Sequence, residues 1–218
     1  MAKTIVYIDG FNLYYRAVRG TSHKWLDIVA MSRAALPSHH AVVKVNYYTA
    51  HISGRVDSDA PRRQHSYLRA LETLPEVTIH YGNFMVERKW SGLVQPAEFR
   101  PAIALPPGLV PEVAYVWKTE EKGSDVNLGV HLVRDAFVRE FEHAAVLTND
   151  TDLVGAIKIV TRETNLPVTL LTPTSKPSAS LVGVCSDVRH VRPYLGPCQL
   201  PTPIKSRSGK WIYKPASW

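Results

Sequence analysis

A layered α/β fold, with a mainly parallel sheet between two layers of helices (α/β/α), is what this sequence predicts, and three observations predict it. Short, almost wholly apolar runs of strand length recur along the chain, as strands buried on both faces require. Longer segments between them carry apolar residues at helical spacing. The two kinds alternate, and parallel strands joined by helical crossovers satisfy that alternation.

The elements follow in order. Residues 4–8 form the first strand and residues 26–36 a helix. Residues 41–49, rich in Val and Tyr, read as a second strand. Pro61 suits the first turn of a helix running through Leu68, Leu71 and Leu74, because the N–H it lacks has no partner there anyway. Residues 77–81 make a third strand. From about 84 to 116 the alternation stops, and Pro96, Pro101, Pro106, Pro107 and Pro111 accumulate. So long a structureless loop is unusual, so this segment reads as an insertion, an extended hairpin or flap. Ser124 suits a helix N-cap, and Val126, Leu128, Val130, Leu132, Val133, Ala136 and Phe137 include an apolar stripe at helical spacing behind it. A strand at 144–147, a helix at 152–161, a strand at 167–171 and a short helix at 178–185 complete a domain over residues 1–192. The tail, 193–218, holds Lys205, Arg207, Lys210 and Lys214 with Trp211, Tyr213 and Trp218, and no acid. Its aromatics suit either a latch onto the domain, the preferred reading, or a stacking surface for single-stranded nucleic acid.

Composition narrows the function classes. A chain of 218 residues, 45% hydrophobic and 21% charged, buries a sizeable core and reads as an ordinary globular protein. No run approaches the roughly 18 apolar residues of a membrane span, and the N-terminus lacks a signal peptide's apolar region. A cytoplasmic location without a membrane partner is expected. Cys185 and Cys198 form no CxxC pair, and the histidines show no HExxH spacing, which argues against a zinc enzyme. The net charge of +7 attracts polyanions, of which nucleic acid is the commonest in a cell.

The carboxylates carry the chemistry. Ligands of open α/β sheets bind outside the carboxyl ends of the strands. Asp9 directly follows the first strand, and Asp150 follows the 144–147 strand closely. Asp152 opens the next helix, and Asp125 lies in the first turn of its own, where the helix dipole favours an anion. Each acid alone reads equally well as a cap or turn former. Gathered in one cleft, they would repel one another unless a cation were present, and Mg²⁺ or Mn²⁺ prefers such oxygen ligands. A metal so held lowers the pKa of bound water and stabilises a leaving phosphodiester oxygen. Asn12 could orient that water or a phosphate oxygen, or serve only as a turn residue. Arg16 and Arg19, Arg55, and Arg62, Arg63 and Arg69 are candidates for phosphate contact, although each alone reads as a solvated surface residue.

Three segments, residues 5–13 (IVYIDGFNL), 122–126 (KGSDV) and 146–153 (VLTNDTDL), together resemble the NYN domain of the PIN-like nuclease superfamily over about residues 3–192. The resemblance implies a three-layer, PIN-like and Rossmann-like fold and a Mg²⁺- or Mn²⁺-dependent ribonuclease acting on single-stranded or structured RNA. It implies Asp9, Asp125 and Asp150 as metal ligands, Asn12 and Asp152 as further catalytic residues, and Lys122 as a phosphate contact. His131 stands where many relatives carry another acid, and Asp135, a turn further on, reads as structural.

Three rival readings fit parts of the sequence. An RNA-binding or regulatory module would hold the metal without turnover. A haloacid-dehalogenase-like phosphatase would use Asp150 and Asp152 in a DxDx[TV] pattern, but that pattern normally follows a fold's first strand. Some chains of similar appearance are pyridine-ring hydroxylases; no glycine-rich dinucleotide fingerprint supports a redox role here, so the expectation stays with the ribonuclease.

Overall fold

Six parallel strands form the central sheet, in the order β3-β2-β1-β6-β7-β8. The strands are β1 (Ala2–Asp9), β2 (His40–Thr49), β3 (Val77–Tyr81), β6 (His143–Leu147), β7 (Val168–Thr172) and β8 (Asp187–His190), while β4 (Asn83–Gly92) and β5 (Val113–Lys122) lie outside it. A computed structural model describes residues 1–54, 57–103, 105, 106 and 108–218. The three-layer α/β/α architecture is the one expected. Alternation along β1 explains its wholly apolar run: Val6 and Ile8 enter one core, Ile5 and Tyr7 the other.

The first layer holds α1 (Gly10–Leu13), α2 (Ile28–Ala35) and α3 (Ala60–Leu71). Asp27 caps α2, its carboxylate accepting from the N–H groups of Val29 and Ala30 at 2.9 Å each. Pro61 stands in the first turn of α3, as expected, and Tyr67, Leu68 and Leu71 are buried beneath it. The tail is built into this layer, with Leu195, Leu200 and Ile212 joining the core. Its last residue, Trp218, packs edge-on against Trp25 and Tyr67, with ring centroids 6.4 and 5.9 Å away. Trp218 therefore acts as a latch, while Trp211 and Tyr213 remain exposed.

The opposite layer holds α4 (Ser124–Phe137), α5 (Val154–Glu163) and α6 (Ala179–Val182). Leu128, Leu132 and Ala136, four residues apart, form the buried stripe of α4. Val126, Val130 and Phe137 lie off that face and are exposed. Among the described residues no helix is long and apolar enough to cross a membrane.

The interruption is a two-stranded antiparallel ribbon apart from the main sheet, β4 paired with β5 from Asn83–Lys122 to Gly92–Val113. It springs from Gly82, where a Cβ would collide with the Glu121 carboxylate, the Lys122 carbonyl (2.8 Å) and the Ser124 nitrogen (2.9 Å). Only glycine lets β3 run into β4 so close to the returning β5–α4 junction.

Candidate functional site

The chain builds β2 and β3 on one side of β1, then crosses to build β6, β7 and β8 on the other. The order reverses between β1 and β6, and the acids at these two strand ends flank that reversal. Asp9 is buried, and both its oxygens are occupied. Oδ1 accepts from the Asn12 backbone N–H at 2.9 Å; Oδ2 accepts from the Asn12 side-chain amide at 2.6 Å and from the Thr148 hydroxyl at 3.3 Å. Burial pushes the Asp9 carboxyl above the usual carboxylate range, against the pull of the Asn12 hydrogen bonds. Thr148 in turn accepts from the Asp150 N–H at 3.0 Å, and Asp150 Oδ1 accepts from the Asp152 N–H at 3.1 Å. The Asn12 side-chain oxygen, Oδ1, accepts from the Asn149 N–H at 3.3 Å, and the Asn149 side-chain oxygen accepts from the Ser178 N–H at 2.9 Å. This network ties the ends of β1 and β6 to the loop before α6.

Asp9, Asn12 and Asp150 are thus brought together, but as struts. Asp125 and Asp152 border a separate groove between α4 and α5, and one Asp125 oxygen accepts from the Val126 N–H at 2.8 Å. Among the described residues no three or more His, Cys, Asp or Glu side chains are grouped to hold a metal. Asp135 is buried and structural, accepting from the Tyr7 hydroxyl at 2.8 Å and from Arg134 at 2.9 Å. His131, in place of the further acid, shares a 3.0 Å hydrogen bond with the Tyr48 hydroxyl.

The basic candidates disperse. Arg16 is exposed on a π-helical turn, Tyr14–Val18. Lys122 pairs with Glu120 at 2.9 Å at the root of the ribbon. Arg62 points to solvent beside Asp59 at 3.3 Å, whereas Arg63 turns inward to pair with Asp57. Arg55 lies outside the described residues.

Arg63 leads to a feature that the motifs did not reveal. A cavity of about 520 Å³ opens at the carboxyl ends of β1 and β2, between the turn after β1 and α3. Its walls are aromatic: Phe11, Tyr14 and Tyr15 from the turn, Tyr47 from β2, Tyr67 from α3, Phe84 from the ribbon and Trp218 from the tail. Gly10 lies beneath it, where a Cβ would meet the Tyr48 carbonyl at 2.6 Å and the Tyr47 ring at 2.7 Å. Burial holds the Tyr47 and Tyr67 phenols firmly neutral, and the Tyr67 hydroxyl donates to the Leu26 carbonyl at 2.9 Å. Gln64 is fully used as a strut, its amide spanning the Ile52 N–H and the Ala50 carbonyl.

Three cations line this space. Arg63 is neutralised by Asp57, whose carboxyl that guanidinium pulls below the usual range. Arg19 lies over the Tyr15 ring, 5.4 Å from its centroid. Lys24 is half-buried and makes no ion pair or side-chain hydrogen bond among the described residues. Aromatic walls with available positive charge suit a flat aromatic molecule carrying a carboxylate. The one sequence signal of this site was the density of aromatics at Phe11, Tyr14 and Tyr15 just beyond a strand end.

The first crossover is less suited to a dinucleotide. Its turn carries a single glycine, Gly10, packed under Tyr47 and Tyr48, and presents the buried Asp9 carboxylate where a pyrophosphate needs free N–H groups.

No family model matches the chain. It is 31% identical to the 6-hydroxy-3-succinoylpyridine 3-monooxygenase HspA of Pseudomonas putida, over 99% of this chain and 75% of that protein. A Vibrio parahaemolyticus protein of unknown function superposes with a TM-score of 0.48 at 17% identity, over 87% of this chain and 92% of that one. The similarity to a monooxygenase overturns the expected ribonuclease, and with it the hydrolase class and the phosphatase and metal-module alternatives. The Mg²⁺ or Mn²⁺ cofactor falls with them: among the described residues the acids are not grouped to hold an ion, and both oxygens of the buried Asp9 accept from Asn12 and Thr148. The pyridine-ring hydroxylase reading, set aside for want of a dinucleotide fingerprint, agrees with this similarity. At 31% identity across nearly its whole length, the chain belongs to the family of the 6-hydroxy-3-succinoylpyridine 3-monooxygenase HspA.

Proposed function

We propose that this chain is an oxidoreductase that inserts oxygen into a hydroxylated pyridine bearing an acidic side arm, bound in the cavity beside Gly10. The observation that carries this reading is the aromatic cavity at the sheet's carboxyl edge, with Lys24 half-buried in its wall and without an ion pair among the described residues. The relative's name describes such a molecule: a hydroxypyridine ring with a succinoyl arm, which ends in a carboxylate.

The cavity's residues divide the work by their chemistry. Tyr14 and Trp218 offer aromatic surface against which a heteroaromatic ring packs. Lys24, with Arg19 beside it, attracts the carboxylate of the arm. Tyr47 and Tyr67 are neutral phenols that do not act as bases near neutral pH; Tyr47 can donate or accept a hydrogen bond, whereas Tyr67, whose proton goes to the Leu26 carbonyl, can only accept.

Monooxygenation places one atom of dioxygen on the substrate and reduces the other to water with two electrons from a donor. The residues of the first crossover do not fit a resident dinucleotide, so no step is derived through one. The donor class proposed is a reduced nicotinamide or reduced flavin acting as a second substrate.

Binding tests the site apart from turnover. Titrating 6-hydroxy-3-succinoylpyridine should quench tryptophan fluorescence saturably, because Trp218 lines the cavity. The same ring without the acidic arm should bind at least about tenfold more weakly, the loss expected when a charged hydrogen bond is removed. Absence of saturable quenching, or equal affinity for the two compounds, would overturn the assignment.

A further inference from the structure

The ribbon of β4 and β5 has two unlike faces. Opposed residues of an antiparallel pair point to the same side, so Val86, Arg88, Trp90, Val113, Tyr115 and Trp117 share one face. The other face carries the charged Glu87, Lys89, Lys118 and Glu120, with Met85 and Val116 among them. A ribbon of two strands with an apolar face is marginal by itself and needs something to pack on. Within this chain each ribbon strand finds its principal packing partner in the other, among the described residues. Much of the aromatic face is nevertheless exposed to solvent: Trp90 is 66% exposed, Tyr115 56% and Trp117 49%. Trp90 and Tyr115 lie against each other with centroids 5.1 Å apart, and Arg88 covers the Trp117 ring at 4.6 Å.

We propose that this face is a dimer interface, on which the ribbon of a second copy of the chain packs about a twofold axis. Area is the first support. Aromatic side chains bury roughly 150–250 Å² each, so the exposed parts of these three leave about 350 Å². With Val113 and the Arg88 stem the stripe offers about 500 Å² per copy, and two copies would withdraw about 1,000 Å², the lower bound of a specific interface. Charge is the second support. The chain carries +7, yet the two ribbon strands hold four cations against three carboxylates. The outer half of the aromatic face, Trp90, Tyr115 and Val113, has no charge at all. Two copies can meet there without opposing their excess positive charge, whereas a polyanion finds little to attract it. A twofold axis lets one stripe serve both partners, which closes the assembly at two.

Sedimentation velocity at about 50 µM, a concentration suited to a small interface, tests this with the full chain. The wild type should sediment at twice the 24.4 kDa of the monomer. A Trp90→Ser, Tyr115→Ser double variant should sediment as a monomer while its far-UV circular dichroism stays unchanged. Lys89→Glu, on the opposite face, should remain a dimer. A monomeric wild type at this concentration overturns the proposal, as does a dimer that survives the double substitution. A monomer that binds single-stranded RNA, and loses that binding in the double variant, also overturns it and makes the face a nucleic-acid surface.

Discussion

Replacing Lys24 by alanine removes the one cation in the cavity wall that no acid or ring engages among the described residues. A hydrogen bond to a charged group contributes about 1.5–3 kcal/mol when shielded, and an exposed ion pair at most about 1 kcal/mol. Lys24 is half-buried, which puts its contact with a substrate carboxylate between these, at about 1–2 kcal/mol. At about 1.4 kcal/mol for each factor of ten, the substrate KM should rise roughly 5- to 30-fold. The carboxylate ends the arm, several bonds from the ring carbon that carries it, so ground state and transition state lose the contact about equally and kcat should change less than about twofold. Steady-state kinetics with 6-hydroxy-3-succinoylpyridine over a range of concentrations separates the two constants. Lys24→Arg should recover most of the affinity, since it restores the charge. An unchanged KM, or a loss confined to kcat, would refute the carboxylate role of Lys24.

Two stability predictions follow from the packing around the site. Gly10→Ala pushes a methyl into the Tyr48 carbonyl and the Tyr47 ring, an overpacking that costs about 1–3 kcal/mol. Differential scanning calorimetry should show Tm lowered by about 3–10 °C for a chain of this size, and an unchanged Tm would mean that the turn relaxes freely. His80 and His143 are each held at about 4, below the ordinary 6.5, first by burial and then by the neighbouring His131 and His40 respectively. The unfolded chain takes up those protons near 6.5 and the folded chain only near 4, so stability is full above 6.5 and is lost as pH falls towards 4. Urea midpoints measured through that window should fall, and a His80→Gln, His143→Gln variant should show a shallower decline. A parallel decline in the two proteins would remove the histidines from the explanation.

The sheet was legible because β1, β6 and β7 are apolar on both faces, and such runs admit few other structures. The positions of Asp9 and Asp150 at strand ends were legible for the same reason. Their use was not. Whether a carboxylate binds a metal or satisfies nearby N–H groups depends on where Asn12 and Thr148 direct their side chains, and Thr148 is 139 residues away from Asp9. A local motif looks the same in both cases, and here it pointed to hydrolysis while the whole-chain similarity points to oxidation. The cavity was harder still to see. It combines a π-helical turn, the inward-facing Arg63 of a pair whose other member faces solvent, and Trp218 from the end of the tail. None of the three follows a periodic pattern. Lys24 lies in an irregular segment, where one lysine resembles any other until the wall around it is assembled.

Dioxygen enriched in oxygen-18 tests the oxidoreductase assignment most directly. The purified chain would be incubated with 6-hydroxy-3-succinoylpyridine and, in separate reactions, with reduced nicotinamide or reduced flavin, and the products read by mass spectrometry. One heavy oxygen atom should enter the product, only with the protein and a donor present, and the Lys24→Ala variant should need more substrate for the same rate. Unaltered substrate with every donor, or a product whose new oxygen comes from water, would contradict the assignment.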